Sequence, residues 1–161
     1  MEPKICIAPI LCTGKFAWID IDDVDTATEE IAAFRSKHTG YEEWFIVDHE
    51  DFPLGECSIP DALEFAEEFD RLDDQWKDVN IIGAALECTT IDELGRYLED
   101  ACMGFADSAE EWMEDFTRDT VEIPDAISYH IDWKSMVREY EHDGCRFIET
   151  KSGGICVLQN I

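Results

Sequence analysis

Positive charge is scarce in this sequence. Lys and Arg total 12 against 39 Asp and Glu in 161 residues, a formal net charge of −27. That imbalance excludes nucleic acid as a direct partner, because phosphates are repelled by such a surface, and favours a basic protein surface. Cysteine is present but unorganised. The seven (Cys6, Cys12, Cys57, Cys88, Cys102, Cys145 and Cys156) are odd in number, form no CxxC pair and stand at no zinc-finger spacing with a histidine. They read as reduced thiols, several on apolar strand faces, in a cytoplasmic protein. No apolar run approaches transmembrane length, and the start, MEPKICIAPILC, is too short and too poorly flanked for a signal peptide. Neither membrane insertion nor secretion is expected.

Catalytic signatures are also missing. No nucleophile elbow, phosphate loop or HExxH occurs, and His38, His49, His130 and His142 stand far apart. Among so many carboxylates any acid/base pair is a chance event. The expectation is a protein that is not an enzyme, with no catalytic residue, cofactor or metal. One stretch, Asp20-Ile-Asp22-Asp23-Val-Asp25, imitates a calcium loop. Counted from Asp20 as an EF-hand, it puts Val24 at position 5, Asp25 where glycine is required and Ile31 at position 12. It reads better as a strand end running into an N-capped helix.

What is present is acid on an apolar frame. Hydrophobic residues make up 45% of the chain, which excludes charge-driven disorder and allows a core. From Asp61 to Asp125 there are 21 acids against Arg71, Lys77, Arg96 and Arg118. Through the same stretch Ala62, Phe65, Phe69, Leu72, Trp76 and Val79 recur at helical spacing, and Leu94, Leu98, Phe105, Trp112 and Phe116 follow.

The chain order predicts an α+β fold. Lys4–Ile10 and Lys15–Ile21 form a hairpin around Thr13-Gly14. A helix opens at Asp25-Thr26, with Thr26 and Glu29 at capping-box spacing, and Trp44–Asp48 is a third strand. Phe52-Pro53-Leu54-Gly55 reads as a linker. Pro60 suits a helix first turn, and a helix is favoured for Ile81–Leu86. Thr90-Ile91-Asp92-Glu93 is a capping box for a helix to Cys102, and Ser108-Ala109-Glu110-Glu111 another for a helix to about Arg118. Pro124 opens a turn, Trp133–Tyr140 is helical, and Cys145–Thr150 and Ile155–Leu158 close the chain as a hairpin around Lys151–Gly154. Three small subdomains are expected: residues 1–57 as a three-stranded sheet with a helix, 58–102 as a central acidic helical segment, and 103–161 as helices plus a hairpin.

The acidic faces call for an explanation. Like charges at helical i, i+4 spacing destabilise by roughly 0.2–0.5 kcal/mol per pair, and few lysines relieve them. A locally unfavourable pattern points to function. Duplex DNA carries one charge per roughly 1.7 Å, so −27 would correspond to at most about 46 Å of duplex. The surface is therefore read as a DNA mimic, with phosphate-like positions at Asp20, Asp22, Asp23, Asp25, Asp61, Glu64, Glu67, Glu68, Asp74, Asp78, Asp92, Glu93, Glu99, Asp100, Asp107, Glu110, Glu111, Glu114, Asp115 and Asp119. Rival readings are an acidic module for another basic DNA-binding protein, salt adaptation and a carboxylate-based metal enzyme. Beyond Ala126 charge is sparse, and Tyr129, Ile131, Trp133, Met136 and Tyr140 form either ordinary core or a self-association patch.

The landmarks KFAWIDI (Lys15–Ile21), EEWFIVDHEDF (Glu42–Phe52), CMGFADS (Cys102–Ser108), IPDAISYHIDWKSMVREYE (Ile123–Glu141) and RFIETKSGGICVL (Arg146–Leu158) come in the order of one family. The chain resembles ArdA-type antirestriction proteins, DNA mimics carried by bacterial mobile elements. The loop at Leu11-Cys12-Thr13 is shorter than that family's. The resemblance implies three small domains in an elongated chain and a homodimer joined through the C-terminal domain. It also implies inhibition of type I restriction-modification enzymes by occupying their DNA-binding groove, without chemistry.

Overall fold

The computed structural model describes residues 1–10 and 14–161. Its elements are α+β, with two three-stranded antiparallel sheets and seven α-helices among the described residues. Contacts divide the chain into two compact units, Met1–Arg96 and Tyr97–Ile161.

In the first unit, β1 (Lys4–Pro9) is the middle strand, between β2 (Ala17–Asp20) and β3 (Trp44–Glu50). The expected hairpin of β1 with β2 is present, with Ile5 opposite Ile19 and Cys6 opposite Trp18. Of its turn signal, Thr13 lies outside the described residues, as do Leu11 and Cys12, while Gly14 takes a φ of 91°. Ile5, Ile7, Ile19 and Ile21 are buried together with Ala27 and Ile31 of α1 (Val24–Ser36). The helix starts earlier than the Thr26/Glu29 pattern implied. Asp23 is the N-cap, and its carboxylate accepts from the Thr26 N–H at 2.7 Å. Two overlapping capping patterns compete here, and the upstream carboxylate takes the orphan amide.

The Phe52–Gly55 break is not a free tether. Phe52 is buried edge-on against Phe65 of α2 (Ile59–Arg71), which stacks in turn on Phe69. Ser58 and Asp61 cap this helix reciprocally: the Ser58 N–H donates to Asp61, and the Asp61 N–H donates to the Ser58 hydroxyl. The apolar period from Ala62 to Val79 does not belong to one helix. α2 stops at Arg71, Leu72 is extended (φ −68°, ψ 142°), and Asp74–Trp76 is a 3-10 turn before α3 (Val79–Leu86). The spacing persists because Leu72 and Trp76 still point into the core.

Thr90 does not cap an α-helix directly. A 3-10 turn, Ile91–Glu93, intervenes, and α4 (Leu94–Ala101) follows, its N-terminal part lying in the first unit. The Thr90 hydroxyl instead donates to Asp92.

The second unit contains a strand that helical patterning concealed: β4 (Cys102–Ala106) follows α4 without a loop. Gly104 (φ 136°) sits at a register shift in this strand, and a Cβ there would crowd the Trp112 indole at 3.3 Å. β6 (Ile155–Gln159) lies between β4 and β5 (Cys145–Glu149). The β5–β6 hairpin is the one the sequence implied. At its turn, Gly154 (φ 82°) passes so close to Ala106 that a Cβ would lie 2.7 Å from the carbonyl oxygen. α5 (Ala109–Thr120) and α7 (Trp133–His142) pack on this sheet, with the short α6 (Asp125–Ser128) between them in sequence. Trp112, Met113, Val137, Ile155 and Val157 form the core.

The six described cysteines are free thiols, and Cys6, Cys102, Cys145 and Cys156 lie on strands. Cys102 is drawn down to about 7, chiefly by a hydrogen bond with Cys156 on the neighbouring strand.

Candidate functional site

Each helix buries one stripe and leaves its carboxylates outside. On α2 the buried stripe is Ile59, Ala62, Phe65, Ala66 and Phe69, so Asp61, Glu64 and Glu67 are exposed and Glu68 is half-buried. On α5 the stripe is Trp112 and Met113, which exposes Glu110, Glu111, Asp115 and Asp119 and leaves Glu114 half-buried. Asp20, Asp22, Asp23 and Asp25 are exposed where β2 passes into α1. Asp74, Asp92 and Glu93 sit on 3-10 turns, and Asp78 is the half-buried N-cap of α3. Glu99 and Asp100 lie on the exposed side of α4, and Asp107 precedes the Ser108 cap. No charged residue is buried among the described residues.

The acids divide into two groups by what they hold. Some serve the fold. Asp23, Asp61 and Asp78 cap helices, and the hydrogen bonds from Thr26 and Ser58 hold the Asp23 and Asp61 carboxyls below the usual range. Glu67 and Glu68 bind Arg71, Glu114 binds Arg118 at 2.6 Å, Asp20 binds Lys4 at 3.1 Å, and Asp74 lies 3.9 Å from Lys77. Such surface pairs contribute little to stability.

The second group is the more telling. Among the described residues Asp22, Asp25, Glu64, Glu93, Glu99, Asp107, Glu110, Glu111, Asp115 and Asp119 take part in no ion pair. α5 sets their spacing. Glu110 to Asp119 spans about 14 Å of helix axis, with four net negative charges after Arg118 is subtracted. That is one per about 3.4 Å, the spacing along a single DNA strand. Glu29 and Glu30 on α1 are exposed beyond the expected positions, and exposed Asp70 continues the i, i+3 run from Glu64 and Glu67.

The residues considered for self-association part company. Trp133, Met136 and Tyr140 pack against the core of their own unit, Tyr140 edge-on to Trp112 and Phe116. Ile131 is half-buried, whereas Tyr129 is 92% exposed. Among the described residues no group of three or more His, Cys, Asp or Glu is arranged to hold a metal ion. No helix of the described residues is long and apolar enough to cross a membrane.

The observations define a class: a small α+β scaffold with exposed carboxylates that its own cations leave largely unmatched. The sequence matches the model of the antirestriction protein (ArdA) family over residues 15–153, and the chain belongs to that family. It is thus an antirestriction protein, a DNA mimic that inhibits type I restriction-modification enzymes without catalysis. No curated protein matches the chain.

Proposed function

We propose that the rows at Asp20–Asp25, Asp61–Asp78, Asp92–Asp100 and Asp107–Asp119 stand in for DNA phosphates in the DNA-binding groove of a type I enzyme. The observation behind this reading is the set of exposed carboxylates without ion pairs, above all the strand-like charge spacing on α5. Many charges share the contact, so no one of them dominates. The functional division follows residues 1–57, 58–102 and 103–161, and the protein acts in the bacterial cytoplasm. A homodimer joined through the C-terminal region doubles the charged length. Exposed Tyr129 is its leading contact, because Trp133, Met136 and Tyr140 are already engaged in the core.

Competition tests the mimicry. The protein is expected to displace duplex DNA from a type I enzyme, and added salt is expected to weaken it. If converting Glu64, Glu67, Glu68, Asp74 and Asp78 to amides left inhibition intact, the central row would have no part in it. Sedimentation equilibrium of wild type and Tyr129→Ser tests self-association. A wild-type mass of one chain would remove the dimer from the reading.

A further inference from the structure

The outer face of the first sheet carries the wrong residues for a surface left to water. An antiparallel sheet covered on one side normally shows polar side chains on the other. Here α1 and the isoleucines occupy the inner side. The register sets what remains in three rows across β2, β1 and β3. Ala8 lies opposite Phe45, Trp18–Cys6–Asp48 forms the next row, and Asp20–Lys4–Glu50 the last. Phe16 immediately precedes β2 in the chain. Val47 occupies the bulge between Ile46 and Asp48. Phe16, Trp18, Phe45 and Val47 are 59%, 40%, 48% and 59% exposed. Asp48 lies opposite Cys6 in the register, and burial followed by that carboxylate pushes the Cys6 thiol up. The face is therefore apolar at one end and acidic at the other, and its one base among the described residues, Lys4, is held by Asp20.

That gradient selects the occupant. A second copy in parallel register would press Asp20, Asp48 and Glu50 against their equivalents. In the reversed register it would bury those carboxylates against Phe and Trp, at the cost of desolvation. Nucleic acid and anionic lipid are repelled. A protein surface with an aliphatic or aromatic projection beside Lys or Arg satisfies both ends.

We infer that this face is a second docking element, an apolar anchor that seats on such a basic-fringed projection of the type I restriction-modification enzyme. It rests on the reading that the carboxylate rows occupy that enzyme's groove. It supplies what charge cannot: affinity that salt does not screen. Carboxylate contacts weaken with ionic strength, whereas apolar burial does not.

The test is binding to the type I enzyme across a salt series. Trp18→Ser with Phe45→Ser is expected to weaken binding about 10- to 30-fold, as loss of an interface anchor does. The dependence of log Kd on log salt should keep its wild-type slope. Amide variants of α5 should instead flatten that slope. Val47→Glu separates the ideas further. It adds negative charge at an exposed position, so a mimic acting by charge alone would bind as well or better, whereas seating on an apolar projection predicts weaker binding. Retained thermal unfolding of the variants checks that the exposed substitutions leave the fold intact. Wild-type affinity in the double variant, or tighter binding by Val47→Glu, would overturn the anchor and leave the groove reading standing. If the wild-type protein fails to bind the enzyme at all, both fall together.

Discussion

α5 and α7 pack side by side on one sheet, are of similar length and bury side chains in one core. Their outer faces could hardly differ more. α5 carries Glu110, Glu111, Glu114, Asp115 and Asp119 against Arg118 alone, while α7 balances Lys134 and Arg138 with Glu139 and Glu141. α7 shows that this architecture does not require an acidic helix. The excess on α5 is therefore a property added to the fold, and one that strains it. Glu111, Asp115 and Asp119 stand four residues apart on one face, a spacing that costs a few tenths of a kcal/mol per pair. The proposed phosphate mimicry gives that cost a purpose.

The comparison breaks most readily at the shared core. Trp112 is buried and stacked on Phe116 with centroids 4.9 Å apart, while Tyr140 of α7 meets it edge-on. Trp112→Ala is expected to destabilise the second unit by about 3–5 kcal/mol, as measured by urea unfolding. Both helices should lose amide-exchange protection together. If α7 kept its protection, the two would not be equivalent mounts.

Next comes the charge itself. Changing Glu110, Glu111, Asp115 and Asp119 to their amides should cut competition with DNA by about 100-fold, the equivalent of about 2.7 kcal/mol. Stability should change by less than about 1 kcal/mol, because relief of the repulsive pairs is offset by loss of the Glu110 and Glu111 charges from the first turn. The matching change on α7, Glu139→Gln with Glu141→Gln, should leave inhibition within about twofold of wild type, under about 0.4 kcal/mol. Equal losses from the two helices would mean that total charge matters and position does not.

A smaller effect concerns how α5 is held. Ser108 accepts from the Glu111 N–H at 3.1 Å, and Ser108→Ala should cost about 1 kcal/mol in thermal unfolding. The smallest effect is with pH, and here the helices should diverge. α7 is capped by Asp132, whose carboxyl is held below its usual range by its hydrogen bonds with Ser135. A depressed folded value gives stability that is present above the unfolded value and lost as pH falls through the folded one. Acid should thus fray the start of α7. The start of α5 is capped by the Ser108 hydroxyl, so it has no cap carboxylate to lose. Residue-resolved amide exchange on acidification should show the start of α7 losing protection before the start of α5, and simultaneous fraying would refute that account.

Much of this was legible in the sequence where one local signal acted alone. Ser108 with Glu111, Pro60 behind Ser58, and the Lys151–Gly154 turn each specify their element without help from afar. Competing signals gave the misreadings. Asp23 and Thr26 both offer a cap to α1, and only the packing of Ala27 and Ile31 on the sheet favours the longer helix. The period through Leu72 and Trp76 survives a chain break, because burial dictates where a side chain points and not which helix carries it. β4 was hidden by its glycine: Gly104 is a poor strand residue until its bulge and the Trp112 indole beside it are seen. For the acidic rows, the sequence shows which residues are outside. It does not show that Asp61 and Asp78 are occupied as caps while Glu64 and Asp115 take no part in ion pairs.

Arg71 and Arg118 each fold back on carboxylates of their own helix. They behave as tethered counterions, set where mobile sodium or potassium would otherwise condense. On the proposed reading, a captured enzyme would meet a mimic whose charge is already partly quenched at fixed points, these two arginines among them. On that reading such quenching would temper the grip and ease release, with Arg71 and Arg118 as two positions that set how long the enzyme stays trapped.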